Sequence, residues 1–361
     1  MSRRILFAIR SKLGDTLISY QAVRAYADAH PRDEVTLITR AAYANLLRDE
    51  AGIRVIGFSS RISMAWKLLW MRCTRPAFDV LAVLWGSGPP IARLGALTHA
   101  RRKIAWTNRF APRMFEQGAL RADHWLIDPA VSVIRAFEPG FEAPRALAIP
   151  SLQARYWRNT GKRAIGIVPV ADEARRNMDA ATLAQLLTEV WRRHPGAPLR
   201  IFVNPDNVGL DALAAVALPP GCEVRKFTDL RDLVEQYMEL AAWYGTDTGL
   251  YHLAVAIGIP ATVFFGPTQP HKIVMPGQPL TRVYRLAALG DSHCDEKSCG
   301  RPLCLHASVA VWCGVQALTR LTDTAPGCPL RVMPPSALTE NRDAPRRESH
   351  RPASGSPGSC C

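Results

Sequence analysis

The chain has 361 residues, 48% of them apolar and 21% charged, which is enough apolar material to bury two domains of ordinary size. A formal charge of +14 at pH 7 points to an anionic partner. The basic residues are scattered between apolar segments and no nucleic-acid-binding motif is present, which sets nucleic acid aside and leaves a phosphorylated substrate or an anionic membrane surface.

The first ten residues, MSRRILFAIR, begin like a secretion signal. Arg10, Lys12 and Asp15 break the apolar stretch too early, so Ile5 to Ile9 is expected to be the first strand of a cytoplasmic protein. A polar turn leads to a helix expected from Thr16 to His30, then the turn Pro31-Arg-Asp and a strand from Val35 to Thr39. Strands follow at Val55 to Phe58 and Phe78 to Leu84, then a helical segment from Pro90 to Thr98 and a strand from Lys103 to Trp106. This alternation predicts a parallel sheet. The apolar runs Leu68 to Met71 and Val80 to Trp85 are too short to span a membrane.

A less periodic stretch from Glu138 to Ser151 separates two domains, expected at residues 1–150 and 151–333. The second alternation has strands at Ala164 to Pro169, Leu199 to Asn204 and Glu223 to Phe227, with helices from Ala180 to Arg193 and Leu230 to Leu240. It culminates in a strand at Trp243, the turn Gly245 to Gly249, a helix over Leu250 to Ala256 and a second apolar strand after Ile259 that ends in a polar turn at Thr268. In such units ligands bind beyond the carboxyl ends of the strands, and the helix beginning after Gly249 would turn its unpaired N–H groups toward an anion. Residues 334–361, rich in Pro, Ser, Arg and Gly, are expected to be a disordered tail. Nine cysteines form no secreted disulfide framework. Cys294, Cys299, Cys304 and Cys313 lack the tight pairs of structural zinc sites, so a metal site and free thiols both stay open.

Three segments carry a resemblance. Arg10-Ser-Lys-Leu-Gly-Asp15-Thr-Leu-Ile with Gln21-Ala-Val-Arg-Ala and His30-Pro31, then Phe78-Asp-Val-Leu-Ala-Val-Leu with Ala92 to Ala105, and Gly245-Thr-Asp-Thr-Gly249 with His252-Leu-Ala-Val-Ala256 and Phe265-Gly-Pro-Thr268, resemble the heptosyltransferase family, glycosyltransferase family 9. The match runs from about residue 4 to about residue 275. It implies an α/β fold of the GT-B type, two Rossmann-like domains facing across a cleft. It also implies inverting, metal-independent transfer of a heptose or related sugar from an ADP-sugar to a lipopolysaccharide core or related glycan, with the nucleotide sugar as co-substrate and no other cofactor. The acceptor would be an anionic glycolipid, reached by peripheral contact with the cytoplasmic face of the inner membrane.

By resemblance Asp15 is the base that deprotonates the acceptor hydroxyl; its residues alone read first as an N-cap of the helix beginning at Thr16. Asp247, Thr248, Gly249 and His252 would receive the ribose and diphosphate of the donor, with Thr268 in the next turn and Glu235 touching the base. His252 is also compatible with a buried histidine bonded within the fold. Arg176 stands where the family usually has Lys, as a clamp for the leaving diphosphate, and Met178-Asp179 replaces its Trp-Pro. Arg10, Lys12, Arg101 and Arg102 are expected on the acceptor side, beside Arg40, Arg61 and Lys103. No Asp-X-Asp pair is placed to hold a divalent ion, so no metal site is assigned; helix N-termini and cations would stabilise the leaving group. The departures at Arg176 and Met178-Asp179 keep open a catalytically altered member that binds a sugar nucleotide or glycan, and protein-directed transfer is also compatible.

Overall fold

The computed structural model describes residues 2–74, 76–85, 89–106, 113–118, 126–203, 210–285 and 303–314. The expected tail and Cys294 and Cys299 lie outside them.

The first half of the chain runs β1 (Arg4–Ile9), α1 (Leu13–Ala29), β2 (Glu34–Arg40), α2 (Ala41–Leu46), β3 (Ile53–Phe58) and α3 (Arg61–Thr74). It continues through β4 (Phe78–Trp85), α4 (Pro89–Leu97), β5 (Ala100–Ala105), β6 (Glu116–Gln117) and α5 (Asp128–Arg135). The second half runs α6 (Pro150–Arg158), β7 (Ala164–Val168), α7 (Ala180–Arg193), β8 (Leu199–Val203), α8 (Leu210–Ala214), β9 (Cys222–Lys226) and α9 (Leu230–Tyr237). It ends with β10 (Leu240–Thr246), α10 (Gly249–Ile257), β11 (Ala261–Phe265), α11 (Pro270–Ile273), β12 (Thr281–Arg285) and α12 (Leu303–Trp312).

The strands form two six-stranded parallel sheets, β3-β2-β1-β4-β5-β6 and β9-β8-β7-β10-β11-β12. Both have the same order, and in both the chain reverses its direction of travel between the first strand and the fourth. These switch points, β1/β4 and β7/β10, are where an open α/β sheet leaves a crevice at its carboxyl edge. Helices cover both faces, which is why strands such as Ile5 to Ile9 and Ile165 to Val168 are apolar without alternation.

One core joins the two halves. Ile5, Phe7 and Leu37 from the inner face of the first sheet pack with Leu17 and Tyr20 of α1, and the same cluster continues through Tyr251 and Leu253 of α10 to Trp243 and Val263 of the second sheet. The outer faces have their own cores: α3 and α4 cover the first sheet through Met64, Leu68 and Leu94, and α7 and α12 cover the second through Leu183, Leu187 and Val309.

The expected strands are present, with shifted ends. The first helix starts at Leu13 rather than Thr16, which puts Asp15 inside its first turn, and β5 starts at Ala100 rather than Lys103. Helices α2, α3, α5, α6, α8, α11 and α12 and strands β6 and β12 were not expected from the sequence. Met178-Asp179 is absorbed by the fold: Met178 is buried, and the Asp179 side chain caps α7 by accepting from the Thr182 N–H at 2.8 Å.

Trp243 is fully buried on β10 and donates to the Tyr237 hydroxyl at 3.1 Å. Trp243→Ala is expected to cost about 3–5 kcal/mol in urea unfolding, since the emptied space is lined by strands that cannot close on it. A loss below about 1 kcal/mol would show that this core does not depend on the ring.

Candidate active site

The two switch points meet. After β1 the turn Arg10-Ser11-Lys12 enters α1, and after β10 the turn Asp247-Thr248 enters α10. Neither Lys12 nor Thr248, the cap residues, bonds its helix with a side chain, so among the described residues no side-chain cap covers the amino end of either helix. The ends abut because glycine stands on each side. A Cβ on Gly14 would sit 2.7 Å from His252 Cδ2, and one on Gly249 would sit 3.3 Å from Leu13 Cβ.

Around this contact the structure gathers charge from both halves. The Ser11 hydroxyl donates to the Asp15 carboxylate, and Lys12 Nζ reaches across to Asp172 in the loop after β7 at 3.1 Å. In the same loop Arg176 bonds the Asp247 carbonyl and carboxylate, both at 3.2 Å, and pairs with Glu173 at 3.2 Å. Thr268 hydrogen-bonds Asp247 from the turn after β11. Two buried nitrogens here, Arg176 Nε and His252 Nδ1, have no hydrogen-bond partner among the described residues.

Burial raises the Asp247 pKa, and the nearby Arg176 charge offsets this only in part. Burial lowers His252 to about 4, with Asp15 opposing that shift and Arg176 adding to it, so this imidazole is neutral at pH 7. Glu173 is also desolvated, yet Arg176, Arg175 and Lys12 together carry its pKa below the ordinary value. A third basic group lies at the carboxyl edge of the first sheet. Arg10 is lowered by burial and then by the charges of Arg40, the last residue of β2, and Arg61, which opens α3 after β3.

Asp15, Arg10, Lys12, Arg176, Asp247, Thr248, Gly249, His252 and Thr268 are therefore brought to the two carboxyl edges. Three expected residues are not. Glu235 on α9 is exposed and pairs with Arg155 of α6. Arg101 and Arg102 require a correction: they open β5, where Arg102 lies level with Val80 near the start of β4, at the amino edge of the sheet. There Arg101 pairs with Asp79 at 3.3 Å and Arg102 with Glu116 at 2.6 Å, so neither faces the acceptor side. The sequence reading missed Gly14, Asp172 and Glu173. Gly14 stands between a strand and an acid, which is a readable sign; the two acids act through pairing across the seam, which no local pattern reveals.

No family model matches the sequence, and no curated protein matches it. Solved structures do match the fold. A glycosyl transferase family 9 protein from Veillonella parvula is 16% identical with a TM-score of 0.63, over 78% of this chain and 85% of that one. E. coli ADP-heptose lps heptosyltransferase II is 17% identical with a TM-score of 0.61, over 86% of this chain and 98% of that one. E. coli heptosyltransferase WaaC with ADP is 17% identical with a TM-score of 0.60, over 78% and 92%. The likeness is one of fold: the chain has the two Rossmann-like domains of GT-B glycosyltransferases, and these relatives belong to the family that its motifs resemble.

The folded-state pKa of His252 lies below the value near 6.5 of an unfolded histidine, so its contribution to stability is whole above that pH and is lost as the pH falls toward about 4. Between pH 7 and pH 5 the loss is expected to be about 2 kcal/mol. His252→Gln is expected to unfold with a flatter pH dependence over that window; equal slopes for the two proteins would exclude a buried neutral imidazole.

Proposed function

We propose that the chain is an inverting, metal-independent glycosyltransferase that moves a heptose or related sugar from a nucleoside diphosphate donor to an anionic glycan acceptor. The observation that carries this reading is the meeting of Asp15 with the open amino end of α10 across the seam. One half supplies a carboxylate, and the other supplies N–H donors and a guanidinium suited to diphosphate. That the E. coli relative was solved with ADP, and again with ADP-2-deoxy-2-fluoro heptose, supports an adenine nucleotide carrying a heptose.

In this reading Asp15 takes the proton of an acceptor hydroxyl, whose oxygen attacks the anomeric carbon on the face opposite the diphosphate. The new C–O bond forms as the bond from sugar to phosphate breaks, and the diphosphate leaves with the electron pair. Its growing charge falls on the first N–H groups of α10 and on Arg176, whose unpartnered Nε is a donor already in place. Asp247 and Glu173 hold that guanidinium in position before substrate arrives. Arg10, Arg40 and Arg61 form the acceptor side and favour a carboxylated or phosphorylated glycan.

Asp15→Asn is expected to lower kcat by about a thousandfold while leaving the donor Kd within about twofold, because the base acts on the acceptor. Turnover is expected to survive excess EDTA. Retention of most activity in the variant would remove Asp15 from the chemistry, and a loss restored by magnesium or manganese would overturn metal independence. Donor binding without transfer by the unaltered chain, to any glycan or protein acceptor, would select the alternative of a binding protein.

A further inference from the structure

Helix α3, RISMAWKLLWMRCT, is apolar on two opposite sides. Met64, Leu68 and Met71 face inward onto Leu6, Ile38, Phe58 and Leu81 of the first sheet. A helix that covers a sheet with one face ordinarily presents polar residues on the other. Here the other face carries Ile62, Trp66, Leu69 and Trp70, exposed by 71%, 68%, 42% and 53%. Their spacing sets them on one stripe opposite the buried one, and exposed Cys73 continues it. Four of the nine large apolar side chains exposed among the described residues thus lie on one helix, which marks a patch rather than scatter.

The charges on α3 have one sign. At helical spacing Arg61 and Arg72 border the stripe on one side and Lys67 on the other, and the helix has no acid. Lys103 lies close enough to Arg72 to feel its charge, which adds a further cation beside the helix.

We propose that this face of α3 docks on an anionic lipid bilayer, with the helix lying in the plane of the headgroups. Tryptophan suits that boundary because its ring is apolar and its N–H is polar, and flanking Arg and Lys are drawn to anionic headgroups. The contact is with the surface, since no described helix is long and apolar enough to cross a membrane. A second copy is a poorer occupant. Related by a twofold axis, the two stripes would bring the flanking cations Arg61, Lys67 and Arg72 of one helix against flanking cations of the other, with no acid on either helix to answer them.

The position of α3 gives the docking a consequence, which rests on the transferase reading proposed above whereas the docking does not. Arg61 opens α3 beside Arg10 and Arg40 at the carboxyl edge of the first sheet. Docked there, the acceptor side of the seam lies at the headgroup layer, where a lipid-linked acceptor is presented without leaving the membrane.

The test is flotation of the full chain with vesicles of phosphatidylcholine alone or with roughly 30% phosphatidylglycerol, at low and at high salt and with no sugar donor present. The chain is expected to float with the anionic vesicles at low salt and to be released as salt screens the headgroups. Trp66→Ser with Trp70→Ser is expected to weaken partitioning by roughly tenfold or more. Lys67→Gln with Arg72→Gln is expected to weaken it by roughly twentyfold; the Trp pair keeps the parent Tm because its side chains are exposed, and the basic pair stays folded, losing only the Lys67 bond to the Gly57 carbonyl. Failure of the parent chain to float with anionic vesicles overturns the proposal, as does a Trp66/Trp70 variant of unchanged Tm that floats as well as the parent. A concentration-dependent dimer that the two Trp changes dissolve, without vesicle binding, would assign the face to a second copy instead. Docking is read without donor, so a chain that docks here and transfers no sugar in a separate assay with donor refutes only the transferase reading.

Discussion

The amino ends of α1 and α10 meet with only glycine between them, at Gly14 and Gly249, and the arrangement of the seam depends on that contact. Each end carries the positive pole of its helix, so bringing them together is unfavourable unless negative charge lies nearby. Asp15 in the first turn of α1 and Asp247 just before α10 provide it. A diphosphate would add to the same balance. The closeness that would let one anion feel both helix ends is also what buries His252, leaving its Nδ1 without a partner among the described residues.

The Arg176–Asp247 pair shows how the second half holds its share. Taking a carboxylate out of water costs more than one guanidinium returns, which is why the Asp247 pKa rises despite its partner. The pair is therefore a weak source of stability and a strong source of position. It ties the loop after β7 to the turn after β10, while Thr268 ties that turn to the end of β11. Three loops from one carboxyl edge are fixed to each other by groups that also face the first half.

Much of this was legible in the sequence, for a physical reason. Strands buried on both sides must be apolar throughout, so Ile5 to Ile9 and Phe78 to Leu84 stand out, and the polar turns that follow them mark the carboxyl edge where a site would lie. The helices that escaped detection had confusing patterns. Helix α3 has apolar residues on two faces, so no single stripe appears, and α6 opens with Pro150 and contributes Tyr156 as its only fully buried residue. Arg101 and Arg102 were misplaced because they open a strand whose first three residues are half-buried or exposed; with the start set at Lys103, charges from the amino edge read as belonging to a loop. Asp172 and Glu173 gain meaning only from pairing with Lys12 and Arg176 in the folded chain.

Net charge is legible in the sequence, but its direction is not. At the amino edge of the first sheet arginines are matched to acids: Arg3 with Asp33 and Glu138, Arg4 with Glu34, Arg101 with Asp79, Arg102 with Glu116. At the carboxyl edge Arg10, Arg40 and Arg61 have no ion-pair partner among the described residues, and Arg10 is disfavoured as a cation by burial and by the other two. The excess of charge is thus polarised along the strands and concentrated where β1, β2 and β3 end and α3 begins. Like charges held this close raise the energy of the empty protein, and any anion arriving between them lowers it. A glycan phosphate or carboxylate at the seam and a lipid headgroup under α3 would draw on the same imbalance, so the two would come to adjoining places by one electrostatic cause.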